Sequence, residues 1–222
     1  RDISLEIHIR AEDGRPIVVL DRINGKRPYI VGGIITGGVN RGLEKAFANG
    51  LDVGCTALQS FTKNANRWQA RPITEAEAAT FRQAWQESGI GPIMAHDAYL
   101  INLASPKGGV WEKSKAALRD ELCRCAQLGI TDLVMHPGAH LGSGADVGLE
   151  RIRQAFREIL PESPPQVRLL LENTAGQGSY LGGDFAHLAA LLEAELLQSR
   201  QSPQVGQSGV GDEITTAETE VL

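Results

Sequence analysis

A short apolar run, a polar loop and an amphipathic helix recur in this order five times along the chain of 222 residues. The apolar runs begin roughly 25 to 40 residues apart and are YIVGGII (29–35), CTALQSF (55–61), GPIMA (91–95), TDLVM (131–135) and VRLLL (167–171). This spacing is typical of βαβ units, in which buried parallel strands alternate with the helices that cover them. The sequence therefore predicts an α/β fold with a parallel sheet.

The segments between the runs carry the end signals and the apolar faces of helices. Thr74 and Glu77 have the capping-box spacing, and Gly89 predicts the end of the helix that they begin. Pro161 predicts the end of a later helix, and Asp184 can cap the last one. The predicted core faces are Ala78, Phe81 and Trp85; Leu118, Leu122 and Cys125; Leu149, Ile152, Phe156 and Ile159; and Leu188, Leu191 and Leu192.

Both a doubly wound sheet and a TIM-type (βα) barrel fit such units. We favour the barrel, because the polar residues with chemical potential all follow strand C-termini. A complete barrel has eight units and about 250 residues, so we expect an incomplete barrel over residues 29–197, with about five of the eight βα units. Residues 1–28 are predicted to form an N-terminal extension, a β-hairpin that turns near Asp13-Gly14. Residues 198–222 are polar and aperiodic, which predicts a disordered tail.

The composition limits the classes of partner. The net charge of −5 excludes a strongly basic protein, so DNA binding would need a locally basic surface. No apolar run approaches the ~20 residues of a membrane span, and we expect no membrane partner. Cys55, Cys123 and Cys125 contain no CxxC pair, which favours free thiols in a reducing compartment. We therefore predict a cytoplasmic protein.

Three side chains that can bind metals each follow an apolar run directly. They are His96 after GPIMA, His136 after TDLVM and Glu172 after VRLLL. Neighbouring parallel strands lie ~4.8 Å apart, so the three strand ends should converge at one edge of the sheet. Two imidazoles and a carboxylate form a catalytic zinc set that leaves a position for water, whose pKa zinc lowers toward ~7. The pattern predicts a zinc site in which the resulting hydroxide is the nucleophile.

The other histidines fit this pattern less well. His140 follows His136 by four positions, but Pro137 and Gly138 interrupt any helix that would make them a ligand pair. His187 and His8 are expected to be solvated or packing residues.

The segment 62–72, TKNANRWQARP, combines basic, amide and aromatic side chains. A solvated loop with one anchoring Trp68 would also explain it. Basic groups neutralise phosphates, whereas amide and aromatic groups contact or replace bases. Because the segment follows a strand at the same edge as the histidines, we favour nucleic-acid contact. The basic and amide residues are Lys63, Arg67, Arg71, Asn64 and Asn66, and Asp97, Tyr99 and Asn102 hold similar positions after the next strand.

Five segments between about residues 36 and 192 resemble the endonuclease IV family, zinc-dependent endonucleases that act at abasic sites. They are GGVNRGLEKA, FTKNANRW, HDAYLINLASP, HPGAHLG and LLENTAGQGSYLG. The resemblance implies a (βα)₈ barrel with three zinc ions at its C-terminal rim. It also implies hydrolysis of the phosphodiester 5′ to an abasic nucleotide in double-stranded DNA, leaving a 3′-hydroxyl.

The resemblance also assigns residues. His96 and His136 match two ligands of one zinc, and Glu172 matches the catalytic carboxylate that bridges this zinc to a second. Tyr99 matches a side chain that enters the DNA at the lesion. Asn66, or Arg67 beside it, falls where the family loop inserts into the helix.

The chain departs from the family pattern in two places. Gly33 in VGGIIT (31–36) stands where members have the His of a GAHVS-like stretch, and no DTCHAF-like segment follows. Asp184 and His187 cannot replace the later ligands by motif. We therefore expect at most one tightly bound zinc and poor nuclease activity. We also expect a monomer, unless open sheet edges drive association.

Two alternative functions remain at this point. Sugar isomerases and epimerases of the xylose isomerase type share the barrel and its rim of His, Glu and Asp ligands. The segment 62–72 and Tyr99 favour the nuclease, because a sugar site has little need for them. The chain could instead be a truncated, non-catalytic product, which its non-Met start and the composition after residue 197 favour.

Overall fold

The computed structural model describes residues 5–12, 15–23, 31–32, 42–52 and 54–199. The strands in this part of the chain are β1 (Leu5–Glu12), β2 (Arg15–Ile23), β3 (Val31–Gly32), β4 (Ala57–Phe61), β5 (Ile93–His96), β6 (Asp132–Met135) and β7 (Arg168–Leu171). The helices are α1 (Lys45–Asp52), α2 (Glu75–Ser88), α3 (Gly108–Leu128), α4 (Ala145–Ile159) and α5 (Phe185–Ser199), and a 3₁₀ turn over Leu160–Glu162 follows α4.

Strands β3 to β7 form one parallel sheet in which each strand pairs with the next along the chain. Phe61 pairs with His96 across β4 and β5, and Met135 pairs with Leu171 across β6 and β7. The parallel sheet predicted from the apolar runs is confirmed. Its register brings the C-terminal ends of β5, β6 and β7 together at one edge, and the candidate site lies there.

The helix ends follow the predicted signals. The Thr74 hydroxyl accepts the Glu77 N–H, and the Glu77 carboxylate accepts the Thr74 N–H, which completes the capping box of α2. Gly89 ends α2 in the left-handed region at φ 63°, where a residue without Cβ meets no steric penalty. Asp184 accepts the N–H of Ala186 in the first turn of α5, as predicted.

The core lies between the helices and the sheet. Every residue of β6 is buried, whereas Leu169, Leu170 and Leu171 of β7 remain partly exposed. Among the described strands β7 lies at the end of the sheet, which explains the difference. The predicted faces of α2, α3 and α4 are buried apart from Trp85, which is half-buried against the same core.

The two ends of the chain are described in part. Strands β1 and β2 pair antiparallel from Leu5↔Ile23 to Glu12↔Arg15, and the predicted turn at residues 13–14 lies outside the described residues. Helix α5 continues to Ser199, past the boundary predicted at 197, and the rest of the predicted disordered tail lies outside the described residues. None of the described helices is both long and apolar enough to span a bilayer.

Candidate metal centre

His96, His136 and Glu172 come together at the C-terminal edge of the sheet. His96 is the last residue of β5, while His136 and Glu172 directly follow β6 and β7. The Glu172 N–H donates to the carbonyl of Met135 at 2.9 Å, which holds the root of the third loop beside His136. One potential ligand atom from each of the three residues lies within 4.8 Å of the others. The predicted convergence of the strand ends therefore brings these side chains to one point.

The separations between the ligand atoms suit a small tetrahedral cation. Glu172 Oε2 lies 3.2 Å from His96 Nε2 and 3.6 Å from His136 Nε2. Zinc with bonds of about 2.0–2.2 Å holds neighbouring tetrahedral ligands about 3.3–3.5 Å apart. The second distance is too long for a good hydrogen bond, whereas a shared cation accounts for both distances.

The ring of His96 is buried and contacts a backbone carbonyl through its Nδ1 atom. Its side chain is 2% exposed, and Nδ1 lies 2.9 Å from the carbonyl oxygen of Asp97. With the Nδ1 proton donated to this carbonyl, Nε2 and Glu172 Oε2 are both acceptors, so a proton or a metal cation must lie between them. A backbone carbonyl that fixes the tautomer of a histidine is the usual outer support of a metal ligand.

His136 differs from His96 in its environment. Its side chain is 40% exposed, yet its Nδ1 is buried and has no hydrogen-bond partner among the described residues. Burial lowers the pKa of His136, and the nearby His96 adds to this effect, while the charge of Glu172 opposes it. A lowered pKa favours the neutral imidazole at neutral pH, which is the form that binds metals.

Two buried carboxyl groups, those of Asp97 and Glu121, lie near these three residues. Burial raises the pKa of Asp97 well above its usual range, and the charges of Glu121 and Glu172 add to the rise, while Lys63 opposes it. Burial also raises the pKa of Glu121, against the opposing charge of Lys63. Asp97 could be singled out from the sequence but Glu121 could not, because a charged residue within α3 is ordinarily placed on the solvent side.

Lys63, the predicted phosphate contact, has a buried side chain. Its side chain is 1% exposed, and Nζ lies 2.7 Å from Asp120 Oδ2 and 3.4 Å from Glu121 Oε1, both on α3. The Thr62 hydroxyl donates to Glu121, and Arg124 donates to the Thr62 carbonyl at 2.8 Å. The ammonium group therefore fastens the start of segment 62–72 to α3.

Tyr99 lies next to the metal centre. It is 55% exposed, and its ring centroid is 6.0 Å from that of His96 and 5.2 Å from that of Phe61. The edge-to-face contact with Phe61 holds the ring while leaving much of its surface free.

The other predicted DNA-contacting residues also lie on the surface. Asn66 and Arg67 are exposed, and the Asn66 N–H donates to Asn64 Oδ1 in a tight turn. Arg71 pairs with Glu77, and Trp68 packs against the core as an anchor.

The remaining histidines that the structure describes in detail do not join the metal centre. His140 Nδ1 accepts the N–H groups of Gly142 and Gly144 at 3.3 and 3.1 Å. His187 Nδ1 accepts the N–H of Gly182 at 3.3 Å. Both rings therefore hold loops.

The chain is similar to proteins of known families. Residues 47–206 match the family described as xylose isomerase-like TIM barrel. A protein of Geobacter sulfurreducens named "Probable endonuclease 4" is 49% identical over 160 residues, which are 72% of this chain and 54% of that protein. The chain thus spans about half the length of the curated relatives that it matches.

Two solved structures have folds similar to that of this chain. Endonuclease IV from Thermus thermophilus has a TM-score of 0.61 and 34% identity, and the match covers 74% of this chain and 59% of that one. A D-psicose 3-epimerase has a TM-score of 0.55 at 16% identity, covering 68% and 53%, which is a likeness of fold alone. The predicted barrel class and the resemblance to endonuclease IV are confirmed.

Proposed function

We propose that this chain, which belongs to the xylose isomerase-like TIM barrel family, carries the metal-binding part of a DNA-repair endonuclease. The reaction is hydrolysis of the phosphodiester 5′ to abasic sites in double-stranded DNA. The observation that carries this proposal is the meeting of His96, His136 and Glu172 at the C-terminal edge, where barrel enzymes hold their active sites. The endonuclease IV relatives, with 41–49% identity, supply the reaction class.

We assign the three side chains as ligands of one zinc ion. A zinc ion held by these residues would supply Lewis-acid stabilisation of a phosphoryl oxygen and would acidify a bound water. His96 and His136 present their Nε2 atoms, and Glu172 presents its carboxylate to both of them. Within the described residues these three form one group of metal-competent side chains, so we propose one well-formed site in this part of the chain.

The DNA-facing side chains in this proposal are Tyr99, Asn66 and Arg67. The exposed ring of Tyr99 beside His96 can fill the space that an abasic nucleotide leaves in the duplex. Arg67 brings an exposed positive charge to the segment that follows β4. A sugar epimerase would not need these groups, and the likeness to epimerases is one of fold alone.

A cleavage assay on a duplex with one abasic site tests this function. We expect cleavage 5′ to the lesion that a chelator abolishes and zinc restores, at a low rate for this chain. Glu172→Gln should abolish cleavage, whereas Glu162→Gln, on the exposed 3₁₀ turn, should not. Cleavage that persists in the chelator, or epimerisation of a ketose instead, would contradict the proposal.

Metal analysis of the purified chain adds an independent measurement. We expect about one zinc ion per chain, lost in Glu172→Gln. Three ions would show that the single site is incorrect.

We also propose that the protein works in a reducing compartment, the cytoplasm. The three cysteines are free thiols, and such thiols are stable where the surroundings are reducing.

A further inference from the structure

The two histidines of the metal centre are held in different ways. His96 has a carbonyl acceptor for its second ring nitrogen, whereas the second ring nitrogen of His136 has no partner in the described part of the chain. A metal-binding histidine usually takes its direction from such a bond. Besides its contact with the His96 ring, at 5.0 Å between centroids, the His136 ring takes its direction from the backbone that carries it.

That backbone is clamped by the side chain of Asn102. Asn102 Oδ1 accepts the N–H of Ala139 at 3.0 Å, and Asn102 Nδ2 donates to the carbonyl of Ala139 at 2.9 Å. Both polar groups of Ala139, three positions after His136, thus bond to one carboxamide. The same Oδ1 also accepts the N–H of Ala104 at 3.1 Å, which fixes the carboxamide to its own loop.

The clamp is anchored in the helical layer. The Asn102 N–H donates to the Ser114 hydroxyl at 3.0 Å, and this hydroxyl donates to the Val110 carbonyl at 2.8 Å within α3. Ser114 is fully buried. Asn102 therefore joins the loop after β6 to a fixed point on α3.

The loop after β7 is attached to the same segment. The Leu181 N–H donates to the Gly138 carbonyl at 2.8 Å, and the His140 N–H donates to the Ser179 carbonyl at 2.9 Å. Asn102 thus lies at the start of a chain of bonds through all three loops that begin at the metal ligands.

Gly138 shows how closely this backbone approaches Asn102. Its φ is +100°, and a Cβ at this position would lie 2.4 Å from Asn102 Oδ1. A side chain there would push the clamp apart. The close approach is therefore part of the arrangement that directs His136.

We propose that Asn102 is a positioning residue that sets the direction of the His136 ring for metal binding. The inference rests on the proposed metal function of His96, His136 and Glu172. The carboxamide of Asn102 donates to the carbonyl of Ala139 and accepts from its N–H at once, which neither an ionised carboxylate nor an aliphatic side chain can do. A carboxylate in its place would turn a second acceptor toward that carbonyl.

Titration of the metal-free chain with Co²⁺ tests the proposal, with the visible absorption of bound cobalt as the readout. We expect Asn102→Asp to weaken cobalt binding by about tenfold or more, the range seen when an outer partner of a metal site is lost. Asn102→Ala should weaken it at least as much. Ser143→Ala is the matched control, because it removes a 2.8 Å hydrogen bond further along the same loop. The control should bind cobalt within about twofold of the unaltered chain.

A second readout separates positioning from general loss of structure. The ring ¹⁵N resonances of His136 should shift in metal-free Asn102→Asp, while those of His96 stay in place. Asn102→Asp decides the matter if Asn102→Ala does not fold. Unchanged cobalt affinity in Asn102→Asp, or equal shifts of both histidines, would overturn the proposal. Absence of cobalt binding by the unaltered chain would overturn the metal centre itself, which is a distinguishable result.

Discussion

Lys63 offers a sharp test of the buried ion pairs, because it and Glu121 are each 1% exposed. In Lys63→Met the carboxylate of Glu121 stays buried with the Thr62 hydroxyl as its hydrogen-bond donor but without a positive partner. Asp120 is partly exposed and can turn to water, so the loss of its ion pair with Lys63 adds little to the cost in stability. Removing one partner of a buried pair costs about 3–5 kcal/mol, and we expect the lower value of about 3 kcal/mol.

Urea denaturation followed by circular dichroism measures this change. With a slope of about 2 kcal/mol/M, a loss of about 3 kcal/mol lowers the midpoint by about 1.5 M. The deficit should shrink as the pH falls, because burial raises the pKa of Glu121 and protonation then removes the uncompensated charge. Adding Glu121→Gln to Lys63→Met should recover part of the loss.

Lys113→Met is the control, since Lys113 lies on the exposed side of α3, the helix that carries Glu121. It should change the free energy of unfolding by less than about 0.5 kcal/mol. A Lys63→Met variant as stable as this control would refute the assignment of Lys63 as a buried structural cation.

The remaining predictions concern acid stability and thiol reactivity. The hydrogen bonds from Arg71 and then from Thr74 lower the pKa of Glu77, so its stabilising effect is complete above the unfolded pKa of about 4.3 and is lost as the pH falls below it. Acid titration should therefore show a larger loss of stability in the unaltered chain than in Glu77→Gln, and equal losses would contradict the capping pair. Burial raises the pKa of the Cys125 and Cys55 thiols, whereas Cys123 is exposed, so a thiol reagent should modify one cysteine rapidly in the folded chain. Cys123→Ser should remove the rapid phase, and a fast phase that persists would show that a buried thiol opens to solvent.

The sheet and the convergence of the three potential metal ligands could be predicted because both follow from local patterns. An apolar run marks a buried strand, and the first polar residue after it marks the strand end. Parallel pairing then brings His96, His136 and Glu172 to one edge without any knowledge of side-chain packing. The capping box of α2 was equally local.

The role of Lys63 could not be predicted, because it depends on a helix far along the chain. Helix α3 buries Glu121 and Arg124 as well as its apolar stripe, since segment 62–72 begins against it. Hydrophobic periodicity assigns such charged residues to solvent. The hydrogen bonds between Asn102 and the backbone of Ala139 could not be predicted for the same reason, because these residues lie far apart in sequence and meet only through two loops.

The inward direction of Lys63 changes what segment 62–72 offers to a polyanion. Arg71 is engaged by Glu77, whereas the guanidinium of Arg67 has no ion pair within the described residues. Each phosphate neutralised by a protein cation releases about one condensed counterion from DNA. In the DNA complex that we propose, the segment would then contribute about one released ion rather than three, with Arg67 as its source.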